Sequence, residues 1–277
     1  MGIAASDEAF PGSGKTCLPA RASGEPDLTV IWHELECGAY SIDLPLWLEL
    51  AELARADAES ARILDVGSGS GRVALKLALA GHAVTALDRD PALLAALSER
   101  AAGAGVQVET VCADARDFTL ERRDFDLCVV PMQSVQLLGG PSGRAAFMRC
   151  AREHLRPRAQ LACAIVTELD SFDCAAGDTG PSAETVRLHG GLYSSRATRV
   201  HVDEQSIRIE RERRVLASDR GPASRPPASE HDVIELDRVS ARQLEQEAQA
   251  CGLTSAGERF IPATDEHVGS EVVILHA

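Results

Sequence analysis

The 277-residue sequence is poor in aromatic residues, in closely spaced cysteine pairs and in long apolar segments. Apolar runs such as Leu161 to Val166 are far too short to cross a bilayer, so no membrane partner is expected. The eight cysteines form no C-x-x-C pair, which favours reduced, buried thiols over disulfides or a zinc site. The N-terminus lacks a basic start followed by an apolar core, which predicts a cytoplasmic protein without a secretory signal.

Basic residues are also scarce relative to acidic ones. Lysine and arginine total 28 against 42 aspartates and glutamates, which gives a formal net charge of −14. Because negative charge opposes binding to a phosphate backbone, nucleic acid is excluded as the main partner and a small-molecule substrate is favoured. A hydrophobic content of 45% is ample for a folded core. The oligomeric state, monomer or homodimer, stays open.

The most informative stretch covers residues 63–74 and reads ILDVGSGSGRVA. An apolar run, a glycine-rich turn and a helix in this order present backbone N–H groups and a helix N-terminus to a nucleotide-like ligand. The dinucleotide fingerprint G-x-G-x-x-G would need a glycine where this chain has Arg72. An acid instead precedes three alternate glycines: Asp65, then Gly67, Gly69 and Gly71. This pattern resembles motif I of the class I methyltransferases that depend on S-adenosylmethionine (SAM).

Strands alternate with helices along the middle of the chain. The patterns predict strands at 61–66, 83–88, 106–112, 125–130 and 159–167, and helices at 70–80, 90–102 and 142–154. Such alternation is typical of an α/β protein with a doubly wound, parallel, Rossmann-like sheet. The resemblance implies a seven-stranded sheet of the class I methyltransferase type, with residues 61–167 as the SAM-binding core.

Acidic residues follow several of these strands, where an open α/β sheet binds its ligand. Asp88 ends the second strand, and an acid there can accept hydrogen bonds from both ribose hydroxyls. The family resemblance implies that Asp114 takes the adenine amino group and that residues 131–133 lie beside the transferred methyl. The implied cofactor is SAM, with S-adenosylhomocysteine (SAH) as product. The full predicted cofactor set is Asp65, Gly67, Ser68, Gly69, Gly71, Asp88, Arg89, Asp114, Ala115, Pro131, Met132 and Gln133.

The remaining segments surround this core. Residues 1–27 are rich in small residues and predict a mobile tail, while residues 28–60 predict N-terminal helices that cap the cofactor. Residues 168–239 break the alternation with a loop and then an antiparallel meander, which predicts an insertion covering the substrate. Residues 240–277 predict the last helix and a closing hairpin of the core.

Within the insertion, three strands are expected at 191–202, 206–216 and 231–239, with a proline-rich loop at 221–228. Arginines and glutamates alternate with one another along residues 208–214. This mixture of signs is interpreted as a solvated sheet face rather than as an anion site.

Methyl transfer requires a nucleophile held in line at about 3 Å with water excluded, and a general base when that nucleophile carries a proton. No metal-ligand spacing is present, so a metal-dependent reaction is not expected. Tyr40 and Tyr193 are expected to line the pocket. The candidate bases are Tyr40, His33, Glu34 and Glu36 from the cap, and His189 and Tyr193 from the insertion.

Residues 34–47 and 130–133 look similar to methyltransferases of actinobacterial natural-product pathways, some of which methylate indole carbon atoms. The resemblance thus implies methyl transfer to a small secondary metabolite. C-methylation of a tryptophan-derived indole and N- or O-methylation of another small molecule stay open. Two alternatives come from other classes, namely a non-catalytic SAM-binding protein and an NAD(P)-dependent oxidoreductase. Arg72 and Asp114 disfavour the oxidoreductase.

Overall fold

A computed structural model describes residues 27–55, 58–218, 229–264 and 267–277. Residues 1–26 of the predicted tail and the proline-rich loop lie outside these ranges. The described chain forms a seven-stranded sheet, which we call the main sheet, and a separate antiparallel sheet, which we call the roof sheet. This is the class I methyltransferase fold with an antiparallel insertion, so the fold expected from the sequence is confirmed.

The main sheet has the strand order β11-β12-β5-β4-β1-β2-β3. Its first five strands in the chain pair in parallel, and β12 and β11 close one edge in the antiparallel direction. The strands are β1 (Arg62–Val66), β2 (Ala83–Asp88), β3 (Val108–Cys112), β4 (Phe125–Val130), β5 (Leu155–Ile165), β11 (Thr254–Ile261) and β12 (Ser270–His276). The helices packed on them are α3 (Arg72–Leu79), α4 (Pro91–Gly103), α5 (Gly140–His154) and α6 (Ala241–Ala250).

Both faces of this sheet are buried, as its apolar strands require. All six residues of β4 are buried, and alternate residues of β1 face opposite cores. Leu64 packs with Phe147 on one side, whereas Ile63 packs with Leu77 on the other. None of the described cysteines forms a disulfide. No helix within the described ranges is both long enough and apolar enough for a membrane span.

The N-terminal segment consists of α1 (Leu28–His33), a π-helical turn over Glu34–Gly38, and α2 (Leu44–Ala54). Trp47 of α2 is fully buried in the core, and its indole N–H donates to Asp43 at 2.8 Å. Asp43 also binds Arg72 through both carboxylate oxygens, at 2.5 and 2.7 Å. This buried ion pair ties the N-terminal segment to the first turn of α3.

The roof sheet has the order β10-β9-β8-β6, with β7 paired on β8. It comprises β6 (Phe172–Asp173), β7 (Glu184–Leu188), β8 (Gly191–Val202), β9 (Ser206–Ser218) and β10 (Ser229–Asp237). The sequence predicted β8 to β10 but missed β6 and β7, because both are short and β7 is half exposed. His189 and Gly190, both with positive φ, form a two-residue turn between β7 and β8.

Candidate cofactor and acceptor site

A cavity of about 430 Å³ opens at the carboxyl ends of the main-sheet strands. One wall, which we call the core wall, is made by the segments that follow β1, β2, β3 and β4. The opposite wall, which we call the roof, is made by the N-terminal segment and by the roof sheet. The roof residues are His33, Glu36, Cys37, Ile209, Arg211, Ile234 and Leu236.

The turn after β1 can be built only with glycine. Gly67 has φ of +71° and Gly69 has φ of +53°, both in the left-handed region. A Cβ at Gly67 would lie 2.6 Å from Ser134 Oγ, and one at Gly69 would overlap the His33 imidazole. The turn therefore brings backbone close to the cavity from one side and to the N-terminal segment from the other.

Asp65 is the most unusual group in the cavity. Its carboxylate is fully buried, and neither oxygen makes a hydrogen bond of standard geometry among the described residues, although the Ala74 N–H makes a weaker contact with it. Burial raises the pKa of Asp65 to about 7, and the nearby Arg72 guanidinium and the Ala74 N–H only partly oppose this. Buried carboxylates are almost always satisfied in native proteins, so Asp65 requires a donor from a ligand. The ammonium of the methionine end of SAM is a donor of this kind.

The Asp88 carboxylate is held by backbone N–H groups rather than by side chains. Its carboxylate accepts from the Gly69 N–H at 2.8 Å and from the Asp90 N–H at 2.9 Å. Each oxygen can still accept a second hydrogen bond, which suits the two ribose hydroxyls.

Asp114 differs from Asp65 in its exposure, in its hydrogen-bond partner and in the direction of its pKa shift. It is partly exposed, and Arg116 binds it at 2.6 Å. Hydrogen bonds from the Arg116 side chain, against a small opposing effect of burial, lower the pKa of Asp114 to about 2. The carboxylate is thus always ionised and is already shared with a guanidinium at the cavity edge.

Residues 131–133 complete the core wall beyond β4. Met132 adopts φ of +49°, and Ser134 Oγ donates to the Pro131 carbonyl at 3.1 Å. Of the twelve predicted cofactor residues, ten line the cavity, while Gly69 and Gly71 shape the turn behind it. The ten are Asp65, Gly67, Ser68, Asp88, Arg89, Asp114, Ala115, Pro131, Met132 and Gln133.

Among the predicted bases, His33 and Glu36 line the cavity. Burial lowers the pKa of His33 despite nearby carboxylates, so its imidazole is neutral at physiological pH. Ser70 Oγ donates to Glu34 at 2.5 Å, so Ser70 must accept from His33 Nδ1, which is 3.0 Å away. This arrangement leaves the lone pair on His33 Nε2.

Glu34 does not line the cavity. Burial alone would raise its pKa, but hydrogen bonds from Arg100 and Ser70 outweigh burial and lower it. Arg100 reaches the same Glu34 oxygen at 2.5 Å. Glu34 therefore orients Ser70 and, through it, His33.

The expectation that Tyr40 and Tyr193 line the pocket is wrong for the described cavity. The Tyr40 ring packs 5.1 Å from the Arg72 guanidinium, with the His267 ring on it. Tyr193 packs edge-on against Trp32, with ring centroids 5.6 Å apart, between α1 and the roof sheet. Both rings therefore serve as core residues. His189 lies exposed in the β7–β8 turn, away from the cavity.

Comparison with known proteins agrees with this geometry. Residues 63–158 match the family described as "Methyltransferase domain". This segment of the chain is thus similar to a methyltransferase domain. The glycine turn and the unpaired Asp65 fit SAM as the cofactor, and the match disfavours the oxidoreductase alternative.

Two solved structures share the fold over most of their length. The sugar N-methyltransferase KedS8 from Streptoalloteichus has a TM-score of 0.66 and 18% identity, and the match covers 96% of this chain and 99% of KedS8. SAM-bound CalS10, an amino pentose methyltransferase from Micromonospora echinaspora involved in calicheamicin biosynthesis, has a TM-score of 0.61 and 21% identity. That match covers 86% of this chain and 92% of CalS10.

A curated relative, an uncharacterised protein of Mycobacterium tuberculosis, is 37% identical over 82 residues. The match spans 30% of this chain and 28% of the relative.

The roof of the cavity is joined by an ion pair that the sequence did not reveal. Glu36 accepts from Arg213 at 2.7 and 2.8 Å and from Ser195 Oγ at 2.7 Å. The Glu36 and Arg213 side chains are 7% and 15% exposed. This pair, which we call the roof clasp, fastens the π-helical turn to β8 and β9.

The interpretation of residues 208–214 as a solvated face is therefore only half right. Arg208 pairs with Glu210 and Arg214 with Glu212, and both arginines are about half exposed. Arg211 lines the cavity and Arg213 forms the roof clasp. The sequence did contain a pattern that indicates an inward face of β9. Its odd positions also carry Ile207, Ile209 and Val215, which face inward.

Proposed function

We propose that this protein transfers the methyl group of SAM to an amine on a small, sugar-containing natural product. The observation that carries the proposal is the His33 imidazole, which lines the cavity beside the glycine turn and is held by Ser70 through Nδ1. KedS8 is a sugar N-methyltransferase and CalS10 an amino pentose methyltransferase, which supports a sugar amine as acceptor.

An indole acceptor fits less well. Among the described residues that line the cavity there is no Phe, Tyr or Trp, and aliphatic and charged side chains form the roof instead. Flat aromatic ligands are usually held by stacking on aromatic rings, which this wall does not offer. We therefore place an amine ahead of indole C3, with a hydroxyl acceptor as the second candidate.

In this proposal the core wall holds the cofactor. Asp65 accepts from the ammonium of the methionine end, Asp88 accepts from the ribose hydroxyls, and the segment around Asp114 borders the adenine. SAM, when bound, supplies an electrophilic methyl group on a sulfonium. The roof excludes water and holds the acceptor against residues 131–133.

In this proposal, His33 acts as the general base that removes a proton from the acceptor. An alkylamine is protonated near neutral pH and has no free lone pair, so a base must remove one proton before attack. His33 Nε2 carries the available lone pair, while its Nδ1–H is fixed by Ser70. With SAM bound, the deprotonated nitrogen would be free to take up the methyl group, and the electron pair of the carbon–sulfur bond would remain on the SAH product.

Cofactor binding is tested by calorimetric titration with SAH, with NADH as control. We expect micromolar binding of SAH and none of NADH. Asp88→Ala should weaken SAH binding by at least about tenfold, equivalent to ~1.4 kcal/mol. Asp90→Ala is the matched control, because Asp90 caps α4 by accepting from Ala92 and Leu93. Binding of NADH alone would contradict the cofactor assignment.

The acceptor is tested with methyl-labelled SAM and a panel of amino sugars, their hydroxyl analogues and indoles. Label should enter the amino sugars at nitrogen, as located by mass spectrometry. His33→Asn retains a donor for Ser70 but has no basic nitrogen, so turnover should fall while SAH affinity stays unchanged. Its turnover should recover partly as pH rises, because the amine then loses its proton to solvent. Label only in the indoles would overturn the amine assignment.

A further inference from the structure

Arg211 occupies a central position in the roof. It lies on β9 between Ile209 and Arg213, opposite Ala197 of β8 and Asp232 of β10. With Ile209, Ile234 and Leu236 it forms the part of the cavity wall contributed by the roof sheet. Arg211 thus lies on the cavity surface with aliphatic side chains on one side and the charged Arg213 and Asp232 on the other.

Against the opposing effect of burial, the charge of the Arg211 guanidinium helps Arg213 to lower the pKa of Glu36, but no close acceptor holds the Arg211 guanidinium among the described residues. An arginine side chain carries five N–H donors, yet none from Arg211 makes a hydrogen bond or an ion pair there. Its Nε is in addition shielded from solvent and unsatisfied. Buried donors are normally satisfied, so a ligand in the cavity could supply the missing acceptor.

Two neighbouring carboxylates could have neutralised Arg211, and both form ion pairs with Arg213 instead, although Asp232 Oδ2 makes no hydrogen bond. Glu36 is held by Arg213 in the roof clasp, as described above. Asp232, which lies opposite Arg211 in register, is 3.1 Å from Arg213 Nη2. The side-chain arrangement therefore leaves one arginine available at the cavity.

We propose that Arg211 binds an oxyanion of the acceptor, a phosphate or a carboxylate. A guanidinium presents paired donors that match the oxygens of either group. The aliphatic Ile209, Ile234 and Leu236 on the same wall limit access of water and strengthen such a contact. This inference rests on the proposed function, and it specifies the acceptor as an amine that also carries negative charge.

The test is titration of the SAH-saturated protein with sodium pyrophosphate, phosphate and acetate at constant ionic strength, with chloride as reference. Wild type should bind at least one of the oxyanions. Arg211→Met should weaken that binding by at least about tenfold, and Arg211→Lys by less. Arg214→Met is the matched control from the outer face of the same strand, and its binding should equal that of wild type. Unchanged SAH affinity shows that each variant is folded, and Arg211→Gln replaces Arg211→Met if the latter is not.

The preference between anions identifies the acceptor group. Tighter binding of phosphate or pyrophosphate supports a phosphorylated acceptor, and tighter binding of acetate supports a carboxylate. If none of the anions binds, or if Arg211→Met binds them as wild type does, the inference is overturned while the proposed function stands. Failure of SAH itself to bind would overturn both.

Discussion

The core wall and the roof of the cavity are built in different ways. The core wall depends on backbone: two glycines adopt positive φ, and Asp88 is held by two peptide N–H groups. The roof depends on side chains brought together from distant parts of the chain, and the Glu36–Arg213 clasp joins residues 177 positions apart. The cofactor end is therefore specified locally, whereas the acceptor end is specified by tertiary packing.

This difference should appear in how each wall responds to substitution. Where only glycine can adopt the backbone conformation of the turn, we expect an added Cβ to reduce the affinity for the ligand. A side-chain ion pair can be removed at a cost in stability while the core wall keeps its shape. The following experiments separate the two responses.

The largest effect is expected for Gly69→Ala. The substitution combines a left-handed φ with overlap of the His33 imidazole, which together cost ~3 kcal/mol, or about 100-fold in SAH affinity. Calorimetry measures this directly. Gly81→Ala is the matched control, because Gly81 has φ of +93° but nothing within 4 Å of an added Cβ. Equal losses in the two variants would mean that strain alone, and not the site, is responsible.

The roof clasp is tested by Glu36→Gln. Removing this carboxylate leaves the buried Arg213 undercompensated, so the free energy of unfolding should fall by about 2 kcal/mol. Denaturant unfolding gives this quantity, and SAH affinity should change by less than about twofold. Glu212→Gln, from the exposed pair with Arg214, should change stability by less than ~0.5 kcal/mol. A large loss of SAH affinity in Glu36→Gln would show that the two walls are not separate.

The raised pKa of Asp65, a core-wall residue, predicts that the free energy of unfolding depends on pH. Its pKa is raised from 3.8 to about 7 in the folded protein, so the folded state binds more protons than the unfolded state between these values. The contribution of Asp65 to stability is therefore present below pH 4 and is lost as pH rises towards 7. Between pH 6 and 7 the loss should be ~1 kcal/mol in wild type and absent in Asp65→Asn. Identical pH profiles for the two proteins would contradict the raised pKa.

The smallest effect is expected for Tyr40→Phe. The ring contacts with Arg72 and His267 remain, and the phenol lies outside the cavity, so turnover should change by less than about twofold. His33→Asn serves as the positive reference in the same assay. A turnover loss in Tyr40→Phe comparable to that of His33→Asn would return the phenol to the mechanism.

The position of the core-wall residues along the cavity could be predicted from the sequence because its signals are local. Asp65, Gly67 and Asp88 lie at strand ends, and their spacing alone places them at one edge of a parallel sheet. Tyr40 and Tyr193 were predicted less well, because a tyrosine in a capping segment can face either a pocket or the core. Only the packing against Arg72 and Trp32 decides between these, and such contacts span more than 30 residues.

Arg211 is a second residue whose surroundings could not be predicted from local sequence patterns. The alternation of β9 was visible, but two identical arginines on one face differ only in which carboxylates reach them. Arg213 takes both Glu36 and Asp232, a choice that depends on segments almost 200 residues apart. No local pattern contains that information.

The aliphatic and basic surface of the roof sheet also has a consequence for protein engineering. Ile209, Arg211, Ile234 and Leu236 belong to two adjacent strands and contribute neither to the glycine turn nor to the roof clasp. A combinatorial library confined to these four codons varies the shape and charge offered to the acceptor while the cofactor end keeps its sequence. Selection for new acceptors can therefore begin from a scaffold whose methyl donor is unchanged.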